Sequence, residues 1–348
     1  MSSTRPLHQP PAAMQVIQMI HGRHVSQAIS VAAELGIADA LKDAPKHVEE
    51  LAAATSTHAP SLYRLLRALA SVGIFTEIED RKFGLTPLAA CLRGDAPDSI
   101  RNLARWYGAR LTLRAWEELL HSVKTGETGV KQALGVTDSF AYLSGHPEQA
   151  QIFHACMTEI SRKNTPGIVG AYDFGRFRKI VDVGGSHGLL LSAILRRYPG
   201  PRGVVFDLPR VVEDAQRTIV SDGLTERCQP VAGNFFESVP AGADAYVLKQ
   251  VIHDWDDAPA VAILRNVRQA IQPEGRLLLI EFVILPGNEP SLGKFSDLSM
   301  LVVAGGRERT EIEYRDLFAA AGFTLTAIHP TASGQSVIEG VPLTGVKP

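Results

Sequence analysis

The chain has 348 residues, 45% of them hydrophobic and 21% charged, with a formal net charge of −2. That length suits two domains and a sizeable buried core, and the near-neutral balance excludes both the broad basic field that nucleic-acid binding needs and an acidic tail. Cys91, Cys156 and Cys228 are an odd set without paired spacing, which speaks against a disulfide framework and a zinc site and for reduced thiols.

The opening stretch MSSTRPLHQPPAAM holds one arginine and three prolines but no apolar signal core, and no later window approaches eighteen uncharged apolar residues. A cytoplasmic protein with a frayed N-terminus is expected. From Ala13 to about Lys163 the apolar spacing is mostly helical, as in SLYRLLRALASVGIF. The piece HVEELAAATSTHAPSLYRLLRALASVGIF reads as helix, polar turn, helix, followed by a small hairpin from Thr76 to Leu85 around Glu79, Asp80 and Arg81. That is a winged-helix pattern. DNA binding is disfavoured, because residues 1–100 hold nine Lys/Arg against ten Asp/Glu and the second helix offers only Arg64 and Arg67. A packing or dimerisation module fits better.

The break TPGIVGAYDFGRF, from Thr165 to Phe177, opens a second rhythm. KIVDV, GVVF, QPVAG, AYVLK and RLLLIEF are short strand-like runs, with helical stretches such as LLLSAILRRY and PAVAILRNVRQAI between them. The alternation predicts a mostly parallel sheet with helices on both faces, binding its ligand beyond the carboxyl ends of the strands. A helix near Glu311–Ala321 and two last strands, about Thr324–His329 and Gln335–Gly340, complete the chain. The expected division is residues 1–100, connecting helices over 101–170, and the α/β domain over 171–348.

The first strand runs into DVGGSHG, Asp182 to Gly188. A G-x-G-x-x-G dinucleotide reading fails, since its first glycine would fall on Val183, and Asp182 at the strand tip would repel a pyrophosphate. A cation suits it. S-adenosylmethionine has no phosphate and carries a sulfonium and an ammonium, so it fits this loop better than NAD. Asp207 ends the second strand nineteen residues after Gly188 and can accept both ribose hydroxyls. Asn234 and Phe235 follow the third strand, where an amide and a ring can bracket an adenine, and Lys249 ends the fourth. Their plainer readings are core packing for Phe235 and a solvent-reaching Lys249.

His253 stands a few residues past the fourth strand in VLKQVIHDWDDAPAV, at the ligand-binding rim, and an ordinary imidazole near pKa 6 to 7 is a candidate base. Glu281 at the end of RLLLIE and Glu308 in GGRERT are the acids that can set its tautomer through Nδ1, leaving Nε2 for a substrate hydroxyl; the spacing leaves open which one does.

DVGGSHG, FDLP (Phe206 to Pro209), HDWDD, LLLIEFVILP and GGRERT, in that order behind a winged-helix half, resemble the caffeate-type class of S-adenosylmethionine-dependent O-methyltransferases, over about residues 15–345. The resemblance implies a Rossmann-like class I methyltransferase sheet, mostly parallel with seven strands, behind a mainly helical winged-helix dimerisation domain. It implies His253 as general base with Glu281 and Glu308 flanking it. Gly184, Asp207, Asn234, Phe235 and Lys249 become cofactor contacts, with Asp182, Gly185 and Leu208 in the same loops. The methyl acceptor would meet Met157 and Met300, with Trp106 and Phe153 as further candidates. A homodimer, a small hydroxylated substrate and no metal, nucleic acid or membrane are implied as well. Two departures stand out: Ser186 and His187 interrupt a loop that often reads GGGTG, and Asn234 replaces the aspartate of plant members.

The implied chemistry is in-line transfer of the sulfonium methyl to a phenolic or enolic hydroxyl while His253 removes its proton. Rival readings are a ligand-sensing winged-helix transcription factor, an NAD-dependent oxidoreductase, and an enzyme of this fold that uses the same cofactor for decarboxylation or hydroxylation.

Overall fold

The computed structural model describes residues 10–343; most of the stretch expected to fray lies outside them. Two compact units emerge, one from residues up to 113 together with 148–159, the other from 114–147 together with 160 onward. The connecting helices expected over 101–170 are thus shared between the units.

In the first unit, helix α1 (Ala12–Glu34) precedes strand β1 (Lys46–His47), helices α2 (Val48–Thr55) and α3 (Ala59–Ser71), and the hairpin β2 (Phe75–Glu79) and β3 (Lys82–Leu85). Pro60 sits in the first turn of α3, where a missing N–H costs nothing, and Leu62, Leu66 and Leu69 place one apolar stripe inward. β1, β3 and β2 pair antiparallel in that order, which is the small wing the Thr76–Leu85 pattern predicts. The long helix α4 (Pro147–Ala171) contributes its residues 148–159 to this unit and its later residues to the other.

The second unit is built on a sheet of β4 (Lys179–Val183), β5 (Arg202–Asp207), β6 (Cys228–Ala232), β7 (Ala245–Lys249), β8 (Arg276–Ile284), β9 (Arg309–Thr310), β10 (Phe323–Pro330) and β11 (Gln335–Pro342). Its order is β10-β11-β8-β7-β4-β5-β6, with β9 beside the end of β8. The middle strands run parallel and the last two antiparallel. Apolar residues alternate between the two faces: Val181, Val183, Leu248 and Leu279 enter one core, Ile180, Val247, Leu278 and Ile280 the other. Burial on both sides explains why these strands read as continuous apolar runs. Helices α5 (Leu189–Arg197), α6 (Pro209–Ser221), α7 (Asp257–Ala270), α8 (Leu292–Ser299) and α9 (Glu311–Ala320) accompany the sheet. Among the described residues no helix is long and apolar enough to cross a membrane.

Candidate active site

The carboxyl ends of β4 and β5 form the first part of the site. Gly184 takes φ +70°, and a side chain there would drive its Cβ to 2.7 Å from Val251, so the loop can pass over β7's exit only as glycine. Its N–H donates to the Phe206 carbonyl at 2.8 Å. Ser186 adopts φ 51° and its N–H donates to Asp207 Oδ2 at 2.9 Å, while the Leu208 N–H donates to Oδ1 at 2.7 Å. Asp207 therefore bolts the glycine loop to β5, and each oxygen keeps lone-pair capacity toward the rim. Leu208 is exposed beside it.

Asp182 does not stand at an open tip, as the spacing suggested. It lies inside β4, 3% exposed, and the space a Cβ on Gly185 would need is filled by its carboxylate. Burial pushes it up to about 7, offset by the charge of Lys249 and reinforced by that of Asp207. Lys249 does not reach for solvent either. It is drawn into the protein, where burial lowers its pKa against the pull of Asp182 and Glu281, and its Nζ donates to Gln250 Oε1 at 3.0 Å. His187, in the same loop, lies 3.6 Å from Asp214; burial lowers its pKa, helped by the charges of Arg217 and Arg162 and opposed by that of Asp207.

Past β6, the Asn234 amide is spent on a local turn: Oδ1 accepts from the Phe236 N–H at 3.0 Å and Nδ2 donates to Glu237 at 3.2 Å. Phe235 packs on the core, and its ring meets Phe236 at 5.0 Å, which in turn meets Trp255 edge-on at 4.8 Å. Phe236 and Trp255 were not singled out from sequence as wall residues. The signal was present in the doubled FF and in the indole of HDW, but only packing brings the two segments together.

His253 rides a 3₁₀ turn, Ile252–Asp254, directly beyond β7. Gln250 enters it at φ 54°, a left-handed backbone outside glycine. The turn is stabilised by Glu281 of β8, whose Oε1 accepts from the N–H groups of Val251 and Ile252 at 3.1 and 2.9 Å. The imidazole itself belongs to Glu308: Nδ1 lies 2.9 Å from Glu308 Oε1, against 3.7 Å from Glu281 Oε2. Since a carboxylate only accepts, Nδ1 carries the proton in this bond. Glu308 is oriented in turn by Ser296 Oγ, which donates to the same oxygen at 2.7 Å, and by Asp297, which accepts from its N–H at 2.9 Å. The two acids thus divide the work, one shaping the turn and one holding the ring.

The second carboxylate oxygens of Glu281 and Glu308 are buried with no hydrogen-bond partner. Asp254 adds a third acid, 3.6 Å from Nε2. Burial disfavours the imidazolium, yet Glu281, Asp254 and Glu308 together outweigh it and push His253 up to about 10. The expectation of an ordinary ring near 6 to 7 is corrected: without ligands, this histidine is a cation at neutral pH. Burial pushes Glu281 up to about 7, opposed by the histidine's charge.

Of the acceptor-side candidates, Met300 begins a π-helical turn, Met300–Ala304, in the same unit as His253. Trp106, Phe153 and Met157 belong to the first unit, where the Trp106 and Phe153 rings are 5.1 Å apart.

A buried acid short of positive charge beside a second carboxylate at the loop, and an aromatic wall on the next strand's exit, fit a cationic adenosine rather than a pyrophosphate. The comparisons agree. Residues 116–324 match the model of the O-methyltransferase domain, and residues 17–95 that of the O-methyltransferase dimerisation domain. The chain belongs to the O-methyltransferase family. It is 46% identical to phenazine O-methyltransferase PhzM of Lysobacter antibioticus, over 96% of this chain and 97% of that one. It is 36% identical, over 94% and 95%, to 8-amino-8-demethylriboflavin N,N-dimethyltransferase of Streptomyces davaonensis. Among solved structures it is similar to the O-methyltransferase NcsB1 from neocarzinostatin biosynthesis, in complex with S-adenosylmethionine and 2-hydroxy-5-methyl naphthoic acid: TM-score 0.81, 37% identity, 91% of this chain and 96% of that one. This O-methyltransferase is an S-adenosylmethionine-dependent enzyme with a Rossmann-like methyltransferase sheet.

Proposed function

We propose that this O-methyltransferase methylates a phenolic or enolic hydroxyl on a small secondary metabolite, with His253 as the general base. One observation carries the assignment: the only ring nitrogen left for a substrate, Nε2, belongs to a buried imidazole whose other nitrogen is held at 2.9 Å by Glu308. The relatives' aromatic acceptors support the substrate class.

When bound, S-adenosylmethionine supplies an electrophilic methyl group and a positive charge. Asp207 would receive the ribose hydroxyls on its remaining lone pairs, and Phe235, Phe236 and Trp255 would wall the adenine. Asp182 and Lys249 set the charge balance beneath the glycine loop, and Gly184, Gly185 and Leu208 shape its backbone. Arg162, one of two arginines whose charge reaches His187, would meet the anionic end of the methionine. Met300 serves the acceptor.

His253 must lose its Nε2 proton before it can act. With the sulfonium bound, His253 would hold its extra proton less firmly, so donor binding would prepare the base. Nε2 would then take the proton of the acceptor hydroxyl as that oxygen bonds to the methyl carbon and the carbon–sulfur bond breaks, the electron pair staying on sulfur as the neutral thioether S-adenosylhomocysteine leaves. Glu308 steadies the imidazolium that forms, and Glu281 keeps the turn in place. Alignment supplies the larger share of the rate, the base about 10² to 10⁴-fold.

His253→Ala is expected to bind S-adenosylmethionine at least as tightly as the parent by calorimetry, since the cation opposing the sulfonium is gone, and to lose about 10² to 10⁴-fold in turnover of a hydroxylated aromatic with a methyl-labelled donor. Turnover within a factor of two of the parent overturns the assignment. We also infer a homodimer formed through the first unit. The dimerisation-domain match supports it, as do Met14, Ile17, Met19 and Ile20, which stand exposed on α1. A light-scattering mass equal to one chain of 37.6 kDa argues against it.

A further inference from the structure

The catalytic turn and the segment that supplies Glu308 are joined by more than the His253–Glu308 bond. Arg309, the next residue, is fully buried and the largest such side chain among the described residues. Its guanidinium grips the His253 turn from both sides. Nη1 donates to the Ile252 carbonyl at 3.3 Å and Nη2 to the Trp255 carbonyl at 2.9 Å, so the carbonyls flanking His253–Asp254 are tied to one rigid plane. The remaining donors go to Asp257, from Nε at 3.1 Å and from Nη2 at 2.8 Å, and to the Arg307 carbonyl at 3.4 Å. All five N–H groups are committed, a fork that lysine's compact ammonium cannot reproduce.

The anchor of this fork is stiff. Arg309 is a residue of β9, paired with Val283 at the end of β8, the strand that carries Glu281. Gly306 closes the other side: a Cβ there would come within 2.0 Å of the His253 carbonyl. The Arg307 guanidinium, by contrast, is turned to the surface, paired with Asp256 at 2.5 Å and 3.8 Å from the second oxygen of Asp257.

We propose that Arg309 is a positioning residue for methyl transfer, a clamp that fixes the His253 turn against Glu308 and ties it to the Trp255 end of the donor wall. The role rests on His253 being the base. The clamp does not touch the reacting atoms; it keeps Nδ1 aligned on Glu308 while Glu281, Asp254 and Glu308 face the ring. With the clamp gone, the turn relaxes and the ring drifts from its acids, toward an ordinary imidazole.

The test compares Arg309→Met, Arg309→Lys and Arg307→Met with His253→Ala. Each is measured as the purified full chain for S-adenosylmethionine affinity, kcat, KM and the pH dependence of kcat/KM. Loss of turnover in His253→Ala secures the base; retention of turnover there sinks the base itself, separately from the clamp. Given that loss, folded Arg309→Met should lose about 10²-fold in kcat, as a displaced catalytic group does. Donor affinity should stay within about threefold, and the rising limb of the pH profile should move about one pH unit lower as the acids release the ring. Arg309→Lys should recover part of kcat, and Arg307→Met should remain within twofold of the parent. The clamp is refuted if Arg309→Met keeps the parent's kcat and pH limb. It is equally refuted if kcat and donor affinity fall together while the limb stays put, the pattern of general loosening. Should Arg309→Met not fold, Gly306→Ala, which presses on the same carbonyl, decides by the same two readouts.

Discussion

The donor end of the sheet and the base end hold similar buried acids, yet they balance them differently. At β4 and β5, Asp182 feels the charge of the half-buried Lys249 and Asp207 those of Arg210 and His187, yet burial leaves both carboxyls raised. At β7 and β8, Glu281, Glu308 and Asp254 surround a cation of their own, His253. The difference teaches what each end is for. A pocket that receives a charged ligand is left short of countercharge, and the ligand completes it; a centre that moves a proton carries its countercharge within. The apo protein therefore bears a standing cost at the donor end, of the kind that functional sites carry and cores avoid.

Glu308→Gln attacks the base end and should have the larger effect. It keeps the shape and an acceptor for Nδ1 but removes one of the charges holding His253 up, so kcat is expected to fall roughly 10²-fold, within the range of a general base that is misheld. The rising limb of kcat/KM should move to lower pH, because fewer acids now favour the imidazolium. Glu281→Gln retains an oxygen for the Val251 and Ile252 N–H groups and should cost less. Equal losses from the two variants, followed by steady-state assays across pH, would erase the division of labour between the acids.

Asp182→Asn probes the donor end and should show a smaller, opposite effect on stability. Asp182 is raised from 3.8 to about 7 in the folded chain. The folded state thus holds the proton more tightly than the unfolded one, and the contribution present below pH 3.8 is lost progressively as pH climbs through 7. The asparagine escapes that loss. Its apo melting temperature should match the parent near pH 4 and exceed it by a few degrees at pH 8, while calorimetry at pH 8 shows weaker S-adenosylmethionine binding. If the variant melts lower at pH 8 and binds the donor unchanged, Asp182 is an ordinary structural acid and the contrast between the two ends fails.

The local parts of both ends were legible in the chain. KIVDV, AYVLK and RLLLIEF are strands because apolar runs buried on both faces have no other stable form in an alternating α/β pattern, and the positions of Asp207 at the end of β5 and His253 just past β7 follow from the same alternation, whereas Asp182 and Glu281 lie inside their strands and Glu308 just before β9. The GGRERT segment announced Glu308 but not Arg309, whose value lies in carbonyls of residues 252 and 255, more than fifty positions away.

Sequence by itself thus determined the order of strands and helices, the glycine loop and the set of groups able to do the chemistry, since propensity, turn geometry and periodicity act between near neighbours. Only the tertiary structure decided that Asp182 is enclosed rather than open, that Glu308 holds the ring while Glu281 holds the turn, that Phe236 and Trp255 form one wall, and that His253 is a cation before its ligand arrives. Those outcomes depend on desolvation and on charges brought within a few ångströms across long loops, and neither quantity exists until the chain has packed.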